Sequence, residues 1–152
     1  MRMLLSLSVA LIATWSLSAQ DKKDEKKADG FDVKKLEGTW SFVSGSKAGT
    51  KSDDKQKKTE FTVKGDEMTM STEEGKFVFK MTVVDAKKNP AEVDFEITDG
   101  PIGKGSTTKG IVSLDGEELK ICYPDMGMGD RPTKFDGDKC NLFVLKKKKA
   151  DK

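Results

Sequence analysis

The chain contains no histidine, which removes the commonest general acid or base near neutral pH and the commonest zinc ligand. Cysteine occurs only twice, as Cys122 and Cys140, and without a C-x-x-C motif dithiol redox catalysis has no support. An excess of one charge is also missing. The 28 Lys+Arg face 26 Asp+Glu, a net +2, so the basic excess of a nucleic-acid binder is absent. No apolar run reaches the ~20 residues of a membrane-spanning helix. Apolar residues are scarce as well, 35% against 36% charged, which fits a small, thin core. Together these shortages predict a protein that is not an enzyme, with no cofactor, no metal and no nucleic-acid partner.

What is present begins with a leader. Met1 and Arg2 give a short positive start, residues 3 to 17 are uncharged and apolar, and Ser16, Ser18 and Ala19 are small. This is the layout of a secretory signal over residues 1 to 19, cleaved after Ala19 or close by. The apolar stretch has no Cys for a lipid anchor. The mature chain is therefore expected to be soluble, monomeric and exported to the periplasm, the cell envelope or the medium, with no transmembrane segment after cleavage. Residues 20 to 30 are charged and cannot bury a core, so they are expected to form a disordered spacer. A single domain is expected over 31 to 146, followed by a Lys-rich tail over 147 to 152. The run of four lysines from Lys146 to Lys149 either docks on an acidic polymer or anionic lipid or is solvated.

An oxidising compartment permits Cys122 and Cys140 to pair. The midpoint between them falls in a polar loop, and a hairpin with that loop at its tip sets the two positions opposite each other. A disulfide there would add about 3 kcal/mol on the loop-entropy argument. The alternative is two independent buried thiols.

Within the domain the apolar residues alternate. Phe77, Phe79, Met81 and Val83 share one face of a strand, with Lys76, Val78, Lys80 and Thr82 on the other. The same period predicts strands at 39 to 44 (Trp40 and Phe42 inward), 60 to 64, 67 to 71 (Met68, Met70), 92 to 98 (Val93, Phe95, Ile97), 108 to 114, 118 to 123 and 140 to 146. Turn chemistry at Gly65-Asp66, Glu74-Gly75, Lys88-Asn89-Pro90 and Asp115-Gly116 links neighbours. No long segment repeats at 3.6 residues, which argues against βαβ units. The expected fold is all-β, an antiparallel up-and-down barrel of about eight strands, closed so that no edge is exposed. Residues 31 to 36 form a short helical turn ahead of it. Two long connections, 45 to 59 and 124 to 139, stand out among tight turns. The first is a candidate for a loop over one mouth. The second carries Met126, Met128 and Phe135, apolar enough to pack on something.

The run Leu36-Glu37-Gly38-Thr39-Trp40 resembles the G-x-W signature of the lipocalin and calycin barrels. With FTVKGDEMT (61 to 69), ITDGPIGKG (97 to 105), KGIVSLDGEELKICY (109 to 123) and RPTKF (131 to 135), the chain resembles an uncharacterised family of small exported domains abundant in planctomycete bacteria. The resemblance implies a lipocalin-like barrel closed at one end by Trp40, and brings no activity with it. It also implies a late arginine packed across that Trp. Arg131 is the one arginine outside the leader, although it precedes Pro132 in a loop and not in the last strand. Its other reading is a solvated side chain or one bonded to loop carbonyls.

The inward set Phe42, Met68, Met70, Phe77, Phe79, Met81 and Phe95 either fills the barrel or lines a pocket for one small apolar or amphiphilic ligand. These are the two functional readings. One is a binding module. The other is a structural or interaction protein with a filled barrel, working on a cell-envelope polymer. Other patterns carry less. Ser44-x-x-Lys47 lacks the helix that presents such a pair, and GPIGKG (100 to 105) leads into a strand and reads as a turn. Asp125, Asp130, Asp136 and Asp138 match no calcium loop.

Overall fold

In the computed structural model, residues 30 to 53, 56 to 125 and 128 to 149 are described. The expected signal peptide, most of the spacer, Met126 and the end of the tail lie outside them. The first element is a 3-10 turn, Val33–Leu36, capped by Asp32, whose carboxylate accepts from the Lys34 N–H. The strands are β1 (Gly38–Lys47), β2 (Thr50–Lys51), β3 (Glu60–Lys64), β4 (Glu67–Thr72), β5 (Gly75–Asp85), β6 (Ala91–Asp99), β7 (Thr107–Asp115), β8 (Glu118–Tyr123) and β9 (Asn141–Lys147).

All pairings are antiparallel, and β9 returns to pair with β1, closing an up-and-down barrel of eight strands with β2 as an extra piece. The expected fold class is what the chain adopts. Two-residue turns set the register at β3–β4 and β7–β8, where Gly65 (φ 60°) and Gly116 (φ 58°) occupy the left-handed position that a side chain would strain.

The difference lies in the connection after β1. Residues 45 to 51, expected in a loop over a mouth, are strand and hairpin. Alternation persists to Lys47, so β1 runs on, turns at Ala48-Gly49, and pairs Ser46 and Lys47 with β2 while Gly38 to Ser41 pair with β3. The 3-10 turn Gln56–Lys58 then leads into β3. The last strand likewise extends into the lysine run, and the Lys148 N–H donates to the Thr39 carbonyl at 2.8 Å.

Strand direction sorts the connections into two ends. The first 3-10 turn and the β3–β4, β5–β6 and β7–β8 turns share one end. The β1–β3, β4–β5, β6–β7 and β8–β9 connections share the other. One continuous core lies between the walls, from Leu36 and Trp40 to Tyr123 and Leu145.

Candidate functional site

Trp40 sits at the closed end with no exposed surface, and its indole N–H donates to the Leu36 carbonyl at 2.8 Å. The 3-10 turn brings that carbonyl, with Leu36, Phe31 and Val33, over the end of the barrel. The cation on the indole is Lys147, its Nζ 5.3 Å from the ring centroid. The Arg131–Trp40 pairing is therefore corrected. In β9 Lys147 is the register partner of Trp40, so a lysine reaches the ring from the neighbouring strand, whereas Arg131 is held on the outer wall, as described below.

The interior is crossed by a line of rings. Phe95 on β6 meets Tyr123 on β8 at 5.7 Å, and Tyr123 stacks on Phe143 of β9 at 5.9 Å. Phe143 in turn meets Phe61 at 5.5 Å and Phe42 at 6.1 Å, both edge-on. Phe95 fits because Gly110, diagonal to it on β7, leaves room for the ring; a Cβ there would lie 2.6 Å from Phe95 Cε2. Phe42, Met68, Phe79, Met81 and Phe95 are all buried in this core, while Met70 and Phe77 are half-buried toward the end opposite Trp40. Phe143, the ring with the most ring partners, is the residue the sequence reading did not single out. Its position two residues from Leu145, in a strand predicted there, carried the signal.

At the end opposite Trp40, Asn141 points inward beside Tyr123. Its amide nitrogen donates to Asp125 at 3.0 Å, and its buried Oδ1 has no partner. Burial pushes the Tyr123 phenol well above its usual range, and the charges of Asp125 and Cys122 add to the shift.

Within the second long connection, residues 131 to 137 fold back on the outside of the barrel as a strap. Arg131 reaches β6 and β7, where Nη1 donates to the carbonyls of Val93 (2.9 Å) and Gly110 (2.6 Å) and Nη2 to Asp94 (2.6 Å). Glu92 lies 3.6 Å from its Nε. Phe135 then packs with Ile111, Cys122, Cys140 and Leu142 in a second small core. Ile111, Cys122 and Leu142 are register partners across β7, β8 and β9 on the outward face. Past Phe135 the Gly137 carbonyl accepts from Ser46 Oγ and from the Gly49 N–H, both at 2.8 Å, which ties the strap to the β1–β2 hairpin. Met128 is exposed. No family model, curated protein or solved structure matches the chain.

Among the described residues, a pair of the open grooves lies on the outer wall. The larger, about 480 Å³, is bounded by the upper part of β1, by β2 and by β9, with Val43, Ser44, Lys51, Ser52, Leu142 and Val144 among its lining. The smaller, about 250 Å³, crosses β5, β6 and β7 between Lys80, Asp94, Glu96 and Lys109. Among the described residues no three of His, Cys, Asp and Glu gather as a metal site. Asp125 is occupied by Asn141, and Asp136 by the Asp138 N–H and by Lys134 at 3.5 Å. Ser44 and Lys47 are both on β1.

Proposed function

We propose that the protein is an exported, non-enzymatic β-barrel that works through its outer wall, docking on a polymer of the cell envelope, while its interior serves only as its core. The observation that carries this reading is the line of rings from Phe95 through Tyr123 and Phe143 to Phe61 and Phe42. It occupies the space where a barrel of this size holds a small ligand. Export is supported by the leader over residues 1 to 19, and the family likeness by the Gly38-Thr39-Trp40 motif at the closed end. The groove along β1 and β2 offers the chemistry for such docking. Lys51 supplies positive charge, which Asp138 on the same rim opposes in part, Ser44, Ser46 and Ser52 supply hydroxyls, and Val43 and Val144 apolar surface, a set suited to a hydroxyl-bearing strand of weak negative charge.

One observation favours a second reading, a small amphiphilic ligand at the end opposite Trp40. The buried Asn141 Oδ1 lacks a donor, and Met70 and Phe77 supply apolar surface toward that end. Native mass spectrometry of protein purified from its own host separates the two. Docking through the wall predicts a bare polypeptide mass and retention on an anionic polymer that weakens as salt is raised. A reproducible extra mass that is lost on unfolding would overturn it in favour of the ligand.

A further inference from the structure

We infer that Cys122 and Cys140 are joined in the mature protein as a cystine that latches the strap to the outer wall of the barrel. The physiological half of this inference rests on the export reading; the chemistry below does not. Cys122 projects outward from β8, opposite Ile111 on one side and Leu142 on the other. Cys140 stands two residues before Leu142 and just ahead of β9, so strand geometry puts it on the same outward face and diagonal to Cys122. Both side chains are buried in one cluster with Ile111, Phe135 and Leu142. Both are free thiols in this structure, and both pack in that one small cluster under Phe135. Burial is the main cause that holds the Cys122 thiol up, and Cys140 and the charge of the Asp136 carboxylate add to it.

The placement also makes mechanical sense. Arg131 holds the strap to β6 and β7, and Gly137 holds it to the β1–β2 hairpin. Cys140 is the point where the strap re-enters the barrel, its carbonyl accepting from the Ala48 N–H. A covalent link at that point closes the connection into a ring anchored on the wall. It thereby fixes the cover over Ile111 and Leu142, whose apolar surface would otherwise be released whenever the strap lifted.

The oxidant is a small disulfide of a monothiol, for which glutathione disulfide is the probe. Cys140, the more exposed of the two, attacks as the thiolate, forming a mixed disulfide and expelling one glutathione thiolate. Cys122 then attacks the Cys140 sulfur and expels the second. One disulfide is reduced to two thiols, two protein thiols become one cystine, and both protons end on glutathione.

The test uses the full mature chain, refolded and equilibrated in a glutathione redox buffer and weighed intact. The expected result is a mass two hydrogens below the reduced chain, slower tryptic cleavage after Lys134, and loss of both effects in Cys140→Ser. A mass raised by glutathione on each cysteine would show that the sulfurs cannot meet, and two free thiols after refolding would show that they do not; either overturns the latch. Since all of this is read on purified protein, it can fail while export stands, and export can fail in a fractionation experiment while the latch stands.

Discussion

Replacing Gly110 by alanine tests whether the barrel is filled. The new Cβ would lie 2.6 Å from Phe95 Cε2 and 2.9 Å from the Cys122 carbonyl oxygen, where carbon atoms prefer ~3.5 to 4.0 Å. The ring must retreat by about 1 Å, and Tyr123, with its centroid 5.7 Å away, stands in the way. The carbonyl belongs to the backbone of β8, so it yields only if the β7–β8 pairing opens. Overpacking of this kind costs ~1 to 3 kcal/mol, and with one obstacle in the backbone we expect the upper half of that range. Phe95→Leu alone leaves a void and costs about 1 to 2 kcal/mol. In the double variant the ring clash is gone and the carbonyl clash remains, so the two losses fall short of adding by about 1 kcal/mol. Urea unfolding followed by Trp40 emission reads all four proteins when each is produced from residue 20 onward, because Trp15 and Trp40 are the two tryptophans of the sequence. A Gly110→Ala loss under ~0.5 kcal/mol, or strict additivity, would mean that the interior has room to spare. The reasoning that makes it a core would then be wrong.

Arg131→Met removes the donors to the Val93 and Gly110 carbonyls and to Asp94; it should cost about 2 to 3 kcal/mol and speed tryptic cleavage after Lys134, with Trp40 emission unchanged. A shifted emission would restore Arg131 to the indole. Lys147→Ala should shift that emission and cost ~0.5 to 1 kcal/mol; an unmoved spectrum refutes the lysine on the ring. The reduced protein should weaken in alkali. Burial holds the folded Cys122 thiol up at about 12 against an ordinary 9.0, and raises the Tyr123 phenol above its ordinary 10.0. Because the unfolded chain releases these protons first, stability is whole below pH 9 and falls as pH rises toward 12, by up to ~1.4 kcal/mol per pH unit for each group. The phenolate absorbance of the one tyrosine should appear only with unfolding, and a smooth titration near 10 in folded protein would contradict its burial.

The alternation at Phe77, Phe79 and Met81 was enough to predict β5, and Gly65-Asp66 and Asp115-Gly116 set their hairpins, because strand period and turn chemistry are local. Closure followed from having only such elements. The strap was not legible, since Arg131 meets Val93 and Gly110 at sequence distances that no local pattern spans. A signal for the second core was nevertheless present. Gly110-Ile111-Val112, Ile121-Cys122-Tyr123 and Leu142-Phe143-Val144-Leu145 are continuous nonpolar runs inside otherwise alternating strands. Such runs mark strands covered on both faces, and the one connection with apolar residues to cover them was 124 to 139. The lysine on Trp40 was hidden for a different reason. The four lysines look alike in sequence, and only the bulge between Phe42 and Ser44 in the β1–β9 register decides which of them faces the indole.

That register also bears on how anything could enter. At the seam Gly45 approaches the Leu142 carbonyl so closely that a Cβ would collide with it, and the strap crosses outside the same strands from Arg131 on β6 to Gly137 on β1. Opening the wall there means breaking a strand ladder and peeling off a second layer together. The closed end is blocked by Trp40 and the turn that accepts its N–H. A ligand is thus confined to the end of Met70, Phe77 and Asn141, while a surface partner has the wall the strap leaves uncovered, from the β1–β2 groove round through β3, β4 and β5. Substitutions at Lys51 and at Asn141 therefore separate the two readings: the first should weaken polymer retention only, the second ligand retention only.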